Sequence, residues 1–122
     1  MTKRILVIED TEDNRQIIGD LLNSAGYELI EALDGLEGVA AAEREHPDLI
    51  LMDIQLPGID GYEATRRIRA VLALAAVPII AVTSYALSGD EAKTRAAGCD
   101  GYVAKPFSPR QLLAKIREFL PE

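Results

Sequence analysis

Apolar residues along this chain gather in five short runs, at positions 5–8, 27–30, 49–52, 79–82 and 102–104. The first, third and fourth are nearly unbroken Ile, Leu and Val, the pattern of parallel strands covered on both faces. The second and fifth are mixed with polar residues, which suits the edges of a sheet. Between the runs the apolar period changes to that of a helix. Ile17, Ile18, Leu21, Leu22 and Ala25 recur at helical spacing in a first helix that starts near Asp10 or Thr11 and stops at Gly26. Leu112, Leu113, Ile116, Phe119 and Leu120 do the same in a last one.

Four segments carry helix-start signals. Asp34-Gly35-Leu36-Glu37, Asp60-Gly61-Tyr62-Glu63, Ser88-Gly89-Asp90-Glu91 and Ser108-Pro109-Arg110-Gln111 each set a capping oxygen three residues before Glu or Gln. Such a pair satisfies two orphan backbone donors reciprocally, and Pro109 suits the first helical position. Only VLALAAV, residues 71–77, is ambiguous: it reads as the end of the third helix or as an apolar loop packed on the sheet. Strand and helix alternate from end to end. The pattern predicts an α/β fold: a doubly wound, five-stranded parallel sheet with right-handed crossovers, in one domain spanning residues 1–122.

Composition narrows the function classes. The 122 residues suit one domain, and 48% apolar with 27% charged residues is ordinary for a globular protein. Thirteen basic against twenty acidic residues leave a net charge of -7, which argues against a nucleic-acid surface. No apolar run reaches the roughly 18 residues of a membrane span, and acids interrupt the first run at once, unlike a signal peptide. The expectation is a cytoplasmic protein. Cys99 is the sole cysteine, so no intrachain disulfide is possible, and it reads as a small buried thiol. His46, beside Pro47 and Asp48, reads as a solvated loop residue.

The strand ends hold the candidate chemistry. In open sheets of this kind ligands bind beyond the C-terminal strand ends. Here those ends carry Glu9-Asp10, Asp53, Thr83-Ser84 and Lys105-Pro106. If the first and third strands are neighbours, three carboxylates, a hydroxyl and an ammonium converge. Acids so close repel one another unless a cation lies among them, and an oxygen-only donor set suits Mg²⁺. Lys105 could offset further negative charge, and the Thr83 hydroxyl could donate to an incoming oxygen. Such a set suits a phosphoryl group, toward which an Asp carboxylate can be the nucleophile. Taken singly, Asp10 could cap a helix, Asp53 could serve a turn, and Lys105 could be a surface lysine. Four strand ends with compatible chemistry make coincidence a poor account.

Over its whole length the chain resembles the receiver domain of two-component response regulators. The likeness rests on Glu9-Asp10, on Met52-Asp53 followed by Pro57 and Asp60-Gly61, on Thr83, and on Lys105-Pro106. The stretches ILMDIQLPGIDGYEATRRIR and GDEAKTRAAGCDGYVAKPFS are most similar to single-domain regulators of the DivK type. The resemblance implies the flavodoxin-like strand order 2-1-3-4-5. It implies a phosphoryl group taken by Asp53 from a histidine kinase or histidine phosphotransfer protein. Mg²⁺ would be held by Glu9, Asp10, Asp53 and the backbone carbonyl of Gln55. Lys105 would contact the phosphoryl oxygens, the Lys105-Pro106 bond would be cis, and Thr83 and Tyr102 would form the switch. Output would run through protein contacts on the face of the fourth helix, fifth strand and fifth helix, without nucleic acid or membrane. Gln55 and Tyr85 occupy positions that modulate phosphoryl lifetime in the family, and Ser84 stands where Ala is usual.

Other readings remain open at this level. The chain could be a receiver fragment of a larger regulator or hybrid kinase. A flavin-binding electron carrier shares the strand order, but EDTEDNRQ puts acids where a flavin phosphate would sit. A phosphohydrolase with an aspartate nucleophile would carry a second Asp two residues on, where this chain has Gln55.

Overall fold

The structure, a computed structural model, describes residues 2–84 and 90–121, with Asp90 described by its backbone alone. The five strands are β1 (Arg4–Ile8), β2 (Glu28–Ala32), β3 (Leu49–Asp53), β4 (Ile79–Thr83) and β5 (Gly101–Ala104). They form one parallel sheet in the order β2-β1-β3-β4-β5. The two mixed runs therefore do lie at its edges. The intervening helices are α1 (Glu12–Ser24), α2 (Gly35–Glu45), α3 (Gly61–Arg69), α4 (Asp90–Ala97) and α5 (Pro109–Phe119).

Alternate side chains of the central strands divide the core in two. Leu6, Ile8, Ile50, Met52, Ile79 and Ala81 pack with Ala41 and Ala42 of α2 and Ala64 and Ile68 of α3. Ile5, Val7, Leu49, Leu51 and Ile80 face Ile18 and Leu22 of α1 and Leu112 and Ile116 of α5. Every residue of β3 and β4 is buried, which is why those segments read as continuous apolar runs.

Several boundaries differ from the sequence reading. β2 begins after Tyr27 and continues to Ala32, because the Tyr27 N–H closes onto Leu22 while Glu31 and Ala32 pair with Val7 and Ile8. The parallel partner, not hydrophobicity, sets the strand's length. Among the described helix starts the reciprocal cap is complete only at Ser108–Gln111. Asp34 and Asp60 accept from Glu37 and Glu63 N–H, but the Glu63 side chain turns instead to Arg66 and Arg67. The start signal at Ser88–Glu91 lies outside the described residues.

VLALAAV is neither a helix end nor a plain loop. α3 stops at Arg69, and a single 3₁₀ turn at Leu72–Leu74 follows, with Leu74 buried and Leu72 90% exposed. Arg69 organises the turn: its guanidinium donates to the carbonyls of Leu74, Val77 and Gly98 and pairs with Asp100 at 2.7 Å. α1 stops at Ser24, with Ala25 as its cap, and Gly26 just beyond adopts φ 90°, a left-handed conformation suited to glycine. Ile17, counted above on the apolar face of α1, is 56% exposed. Cys99 is buried against Thr65 Oγ1 at 3.7 Å, and His46 caps α2 at the surface with φ 48°.

Candidate functional site

The parallel register brings the carboxylates together. β1 lies between β2 and β3, so Ile8 pairs with Met52 and the chain leaves both strands at the same level. Glu9 follows β1 directly and is 2% exposed, while Asp53 ends β3 at 3%. Asp10 is exposed at the rim. Carboxylate oxygens of Glu9, Asp10 and Asp53 lie within 4.8 Å of one another. Asp10 does not cap α1: Thr11 is the capping position, with no side-chain bond of its own, and its N–H goes to Glu9 Oε2 at 3.0 Å. Asp10 therefore keeps its oxygens for the pocket.

Lys105 arrives from the end of β5. Its Nζ stands 3.3 Å from Glu9 Oε1 and 3.4 Å from Asp53 Oδ2. Its backbone N–H donates to the Thr83 carbonyl at 2.8 Å, which ties the ends of β4 and β5 together. The Lys105-Pro106 peptide is cis. Thr83 is fully buried at the end of β4, one position past the Val82 that pairs with Asp53. Tyr102 is half-buried on β5, paired with Ala81 and packed against the core on the α2–α3 face. Tyr85 lies outside the described residues.

Gly61, which opens α3, explains the close fit beneath Asp53. A Cβ there would collide with the Asp53 carbonyl and with Ile54 Cα, and the Gly61 N–H bonds the Ile54 carbonyl at 2.9 Å. The chain thus folds back tightly enough to fix the strand end that carries the acid.

The electrostatics of the pair are opposed. Burial, then the charge of Glu9, push the Asp53 carboxyl up to about 6, against the pull of the Gln55 N–H and Lys105. Burial also works against the charge on Glu9, but the Thr11 N–H, Lys105 and a hydrogen bond with Asp53 hold its carboxyl below the usual range. Lys105 offsets only part of the negative charge of these carboxylates, and the raised Asp53 carboxyl reflects what burial and Glu9 leave uncompensated. A hard divalent cation meets the same need: the donors are all oxygens, Asp10 leaves the pocket open to water, and no thiol or imidazole is among them. The residues fit such an ion.

Sequence reasoning did not single out two contributors. Arg15 of α1 donates to the Glu9 carbonyl at 2.9 Å and lies 3.8 Å from Glu31, so it braces the loop that bears Glu9 and Asp10. Lys93 of α4 lines a cavity at the mouth of the pocket with Asp10, Gln55, Asp60 and Tyr62. Both are ordinary exposed-type residues on helices, and no local pattern marks them.

A doubly wound α/β domain with an acidic, cation-ready pocket at the central strand ends is the class that fold and site define. The response regulator receiver domain matches residues 5–117, and the chain belongs to that family. It is 42% identical over 120 residues to the polar-differentiation response regulator DivK of Brucella ovis and 41% identical to that of Brucella anthropi, covering 98% of each chain in both cases. Among solved structures, the receiver domain of a sensor histidine kinase from Pseudomonas aeruginosa PAO1 is 41% identical, with a TM-score of 0.92 over the full length of both chains. That structure holds a magnesium ion coordinated in its active-site cleft. The chemotaxis response regulator CheY4 of Vibrio cholerae superposes with a TM-score of 0.93 at 28% identity, over 98% of this chain and 99% of that one.

Proposed function

We propose that this receiver accepts a phosphoryl group on Asp53 in a Mg²⁺-dependent reaction and signals through a change in protein contacts. The observation that carries the reading is a buried carboxylate at a strand end, 3.4 Å from Lys105 Nζ and clustered with Glu9 and Asp10. An Asp53 carboxylate oxygen attacks phosphorus, forming an acyl C(O)O–P bond as the P–N bond to a partner's phosphohistidine breaks. The electron pair of that bond stays on the imidazole. Glu9, Asp10, Asp53 and the Gln55 carbonyl would hold Mg²⁺, which supplies charge neutralisation when bound. Lys105, already between the acids, is placed to meet phosphoryl oxygens. The Thr83 hydroxyl would close on the group from β4, and Tyr102 would rotate in response, altering the surface of α4, β5 and α5.

We read residues 1–122 as one receiver domain acting in the cytoplasm on histidine kinases or phosphotransfer proteins. The DivK relatives, matched over 98% of their length, support this assignment, and among the described residues no helix is long and apolar enough to cross a membrane. Origin in a larger regulator or hybrid kinase is the second reading, supported by the 41% identity to a kinase receiver. A hydrolase turning over phosphate esters is disfavoured. Gln55 stands where its acid/base would be, and its side-chain amide, which accepts a hydrogen bond from Ser84 N–H, does not titrate and cannot exchange a proton as an acid/base must.

Incubation with acetyl phosphate and Mg²⁺ tests the assignment. The protein should gain one phosphoryl mass, removable by hydroxylamine as an acyl phosphate is, and Asp53→Asn should gain none. A hydroxylamine-resistant adduct, or one that survives in Asp53→Asn, would overturn it.

A further inference from the structure

The basic side chains of α3 and α4 are engaged, with one exception. Arg66 and Arg67 pair with Glu63, Arg69 with Asp100, and Arg95 with Glu91. Lys93, exposed on α4, pairs with no carboxylate among the described residues. It lines instead a cavity of about 550 Å³ that begins at Asp10, on the rim of the acidic pocket. Leu56, Pro57 and Tyr62 give the same wall apolar surface. Asp60 lines it too, its carboxylate accepting from the Glu63 N–H at 2.9 Å.

Transfer to Asp53 sends a leaving group toward this wall. The carboxylate is 3% exposed, so a donor reaches it from the rim, and in-line displacement puts the leaving atom on the side of phosphorus away from Asp53. What departs depends on the donor. From a P–N donor protonated on nitrogen, the electron pair of the broken bond stays on nitrogen and a neutral amine leaves. From an acyl phosphate the C(O)O–P bond breaks, the pair stays on oxygen and a carboxylate leaves, while the same bond from Asp53 oxygen to phosphorus forms. Lys105 is occupied by Glu9, Asp53 and the incoming phosphoryl oxygens. Asp10 and Asp60 repel a departing carboxylate, and Lys93 is the group on that wall that attracts it.

We propose that Lys93 is a specificity-determining residue for phosphodonors: its ammonium meets the carboxylate that an acyl phosphate releases, with the acyl group seated against Leu56, Pro57 and Tyr62. The inference deepens, and rests on, the assignment of Asp53 as phosphoacceptor. Negative charge grows on the leaving oxygen of an acyl phosphate as its bond breaks, and a cation already in place stabilises that transition state more than the ground state. A P–N donor, phosphohistidine included, develops no such charge and gains nothing from Lys93.

Phosphorylation rates with acetyl phosphate and with phosphoramidate test this, at saturating Mg²⁺ and at high ionic strength, which screens attraction at a distance. The ratio of the two rates is the readout, because a change in folding or in the acidic pocket alters both together. In Lys93→Met the ratio of acetyl phosphate to phosphoramidate rates should fall about two- to five-fold, the scale of one exposed ion pair, and Lys93→Arg should keep the wild-type ratio. A ratio unchanged in Lys93→Met, or lowered equally in Lys93→Arg, would overturn the role of Lys93 alone. A wild type phosphorylated by neither donor would overturn the phosphoacceptor assignment together with it.

Discussion

At the scale of single residues, the site is governed by how Asp53 and Glu9 divide the available positive charge. With its carboxyl at about 6 in the fold and about 4 in an unfolded chain, Asp53 contributes stability that is fully present below about pH 4 and lost as pH rises through about 6. Glu9, whose carboxyl is lowered, contributes the opposite way, and its share is lost only as pH falls through that lowered value. Between about pH 4 and 6 the Asp53 effect therefore leaves the metal-free protein carrying a growing electrostatic cost. A bound divalent cation removes that cost and must displace the proton at the acid end. The increase in melting temperature on adding Mg²⁺ should accordingly be larger at pH 7.5 than at pH 5, as calorimetry would show; equal increases would exclude Asp53 as a ligand. Lys105 makes a second expectation with an unusual pair of signs. Its ammonium, 3.3 Å from Glu9 and 3.4 Å from Asp53, competes with any cation for those oxygens yet favours an incoming phosphoryl group. Lys105→Met should thus bind Mg²⁺ several-fold more tightly while accepting phosphoryl from acetyl phosphate at least ten-fold more slowly. Titration calorimetry and a rate measurement on the same variant would separate the two effects.

At the scale of elements, the geometry of the acids depends on how tightly α3 returns to β3. Gly61→Ala would press a methyl group against the Asp53 carbonyl and Ile54 Cα, backbone atoms that cannot swing away. We expect a loss of about 2 kcal/mol in urea denaturation, with slower phosphorylation in the fraction that remains folded. The strand runs were legible because burial on both faces writes an unbroken apolar signature, whereas their order, which the structure bears out, came from the family resemblance. The converging acids, Thr83 and Lys105 were legible for the same reason, being single residues at predictable strand ends. What was not legible depends on contacts distant in sequence. The extent of β2 follows from pairing with Val7 and Ile8, and the fate of residues 71–77 follows from an arginine that gathers the carbonyls of Leu74 and Val77 at the end of the turn and beyond it. The reciprocal caps expected at Asp34 and Asp60 failed for a related reason at Glu63, where two arginines on the following turn outcompete a backbone donor. Arg15 acts on the pocket through the Glu9 carbonyl, a group every residue possesses, so no residue type could announce it.

For the whole molecule, the question is how one added group near Asp53 reaches the far edge of the sheet. The rigid route is short: β3 pairs with β4 and β4 with β5, so Thr83 lies opposite Ala104, two residues beyond Tyr102. Tyr102 is half-buried and packs against the same core cluster as Met52 and Ala81, yet also lines an outer groove with Gln111 and Lys115 of α5. A side chain that borders both core and surface can take two positions at small cost, and a phosphoryl group biases them only through its different interactions in each. If Tyr102 carries the change outward, Tyr102→Leu should separate the two ends of the route. Amide resonances around Asp53 and Thr83 would shift on adding Mg²⁺ and trifluoroberyllate as in the wild type, while those of β5 and α5 would move much less. Leucine preserves the apolar contact with the core, so a general loss of packing is not expected, and an unchanged melting temperature would verify this. Shifts on β5 and α5 that persist at full size in the variant would show that the signal bypasses Tyr102 and travels through the backbone bond from Lys105 to Thr83 instead.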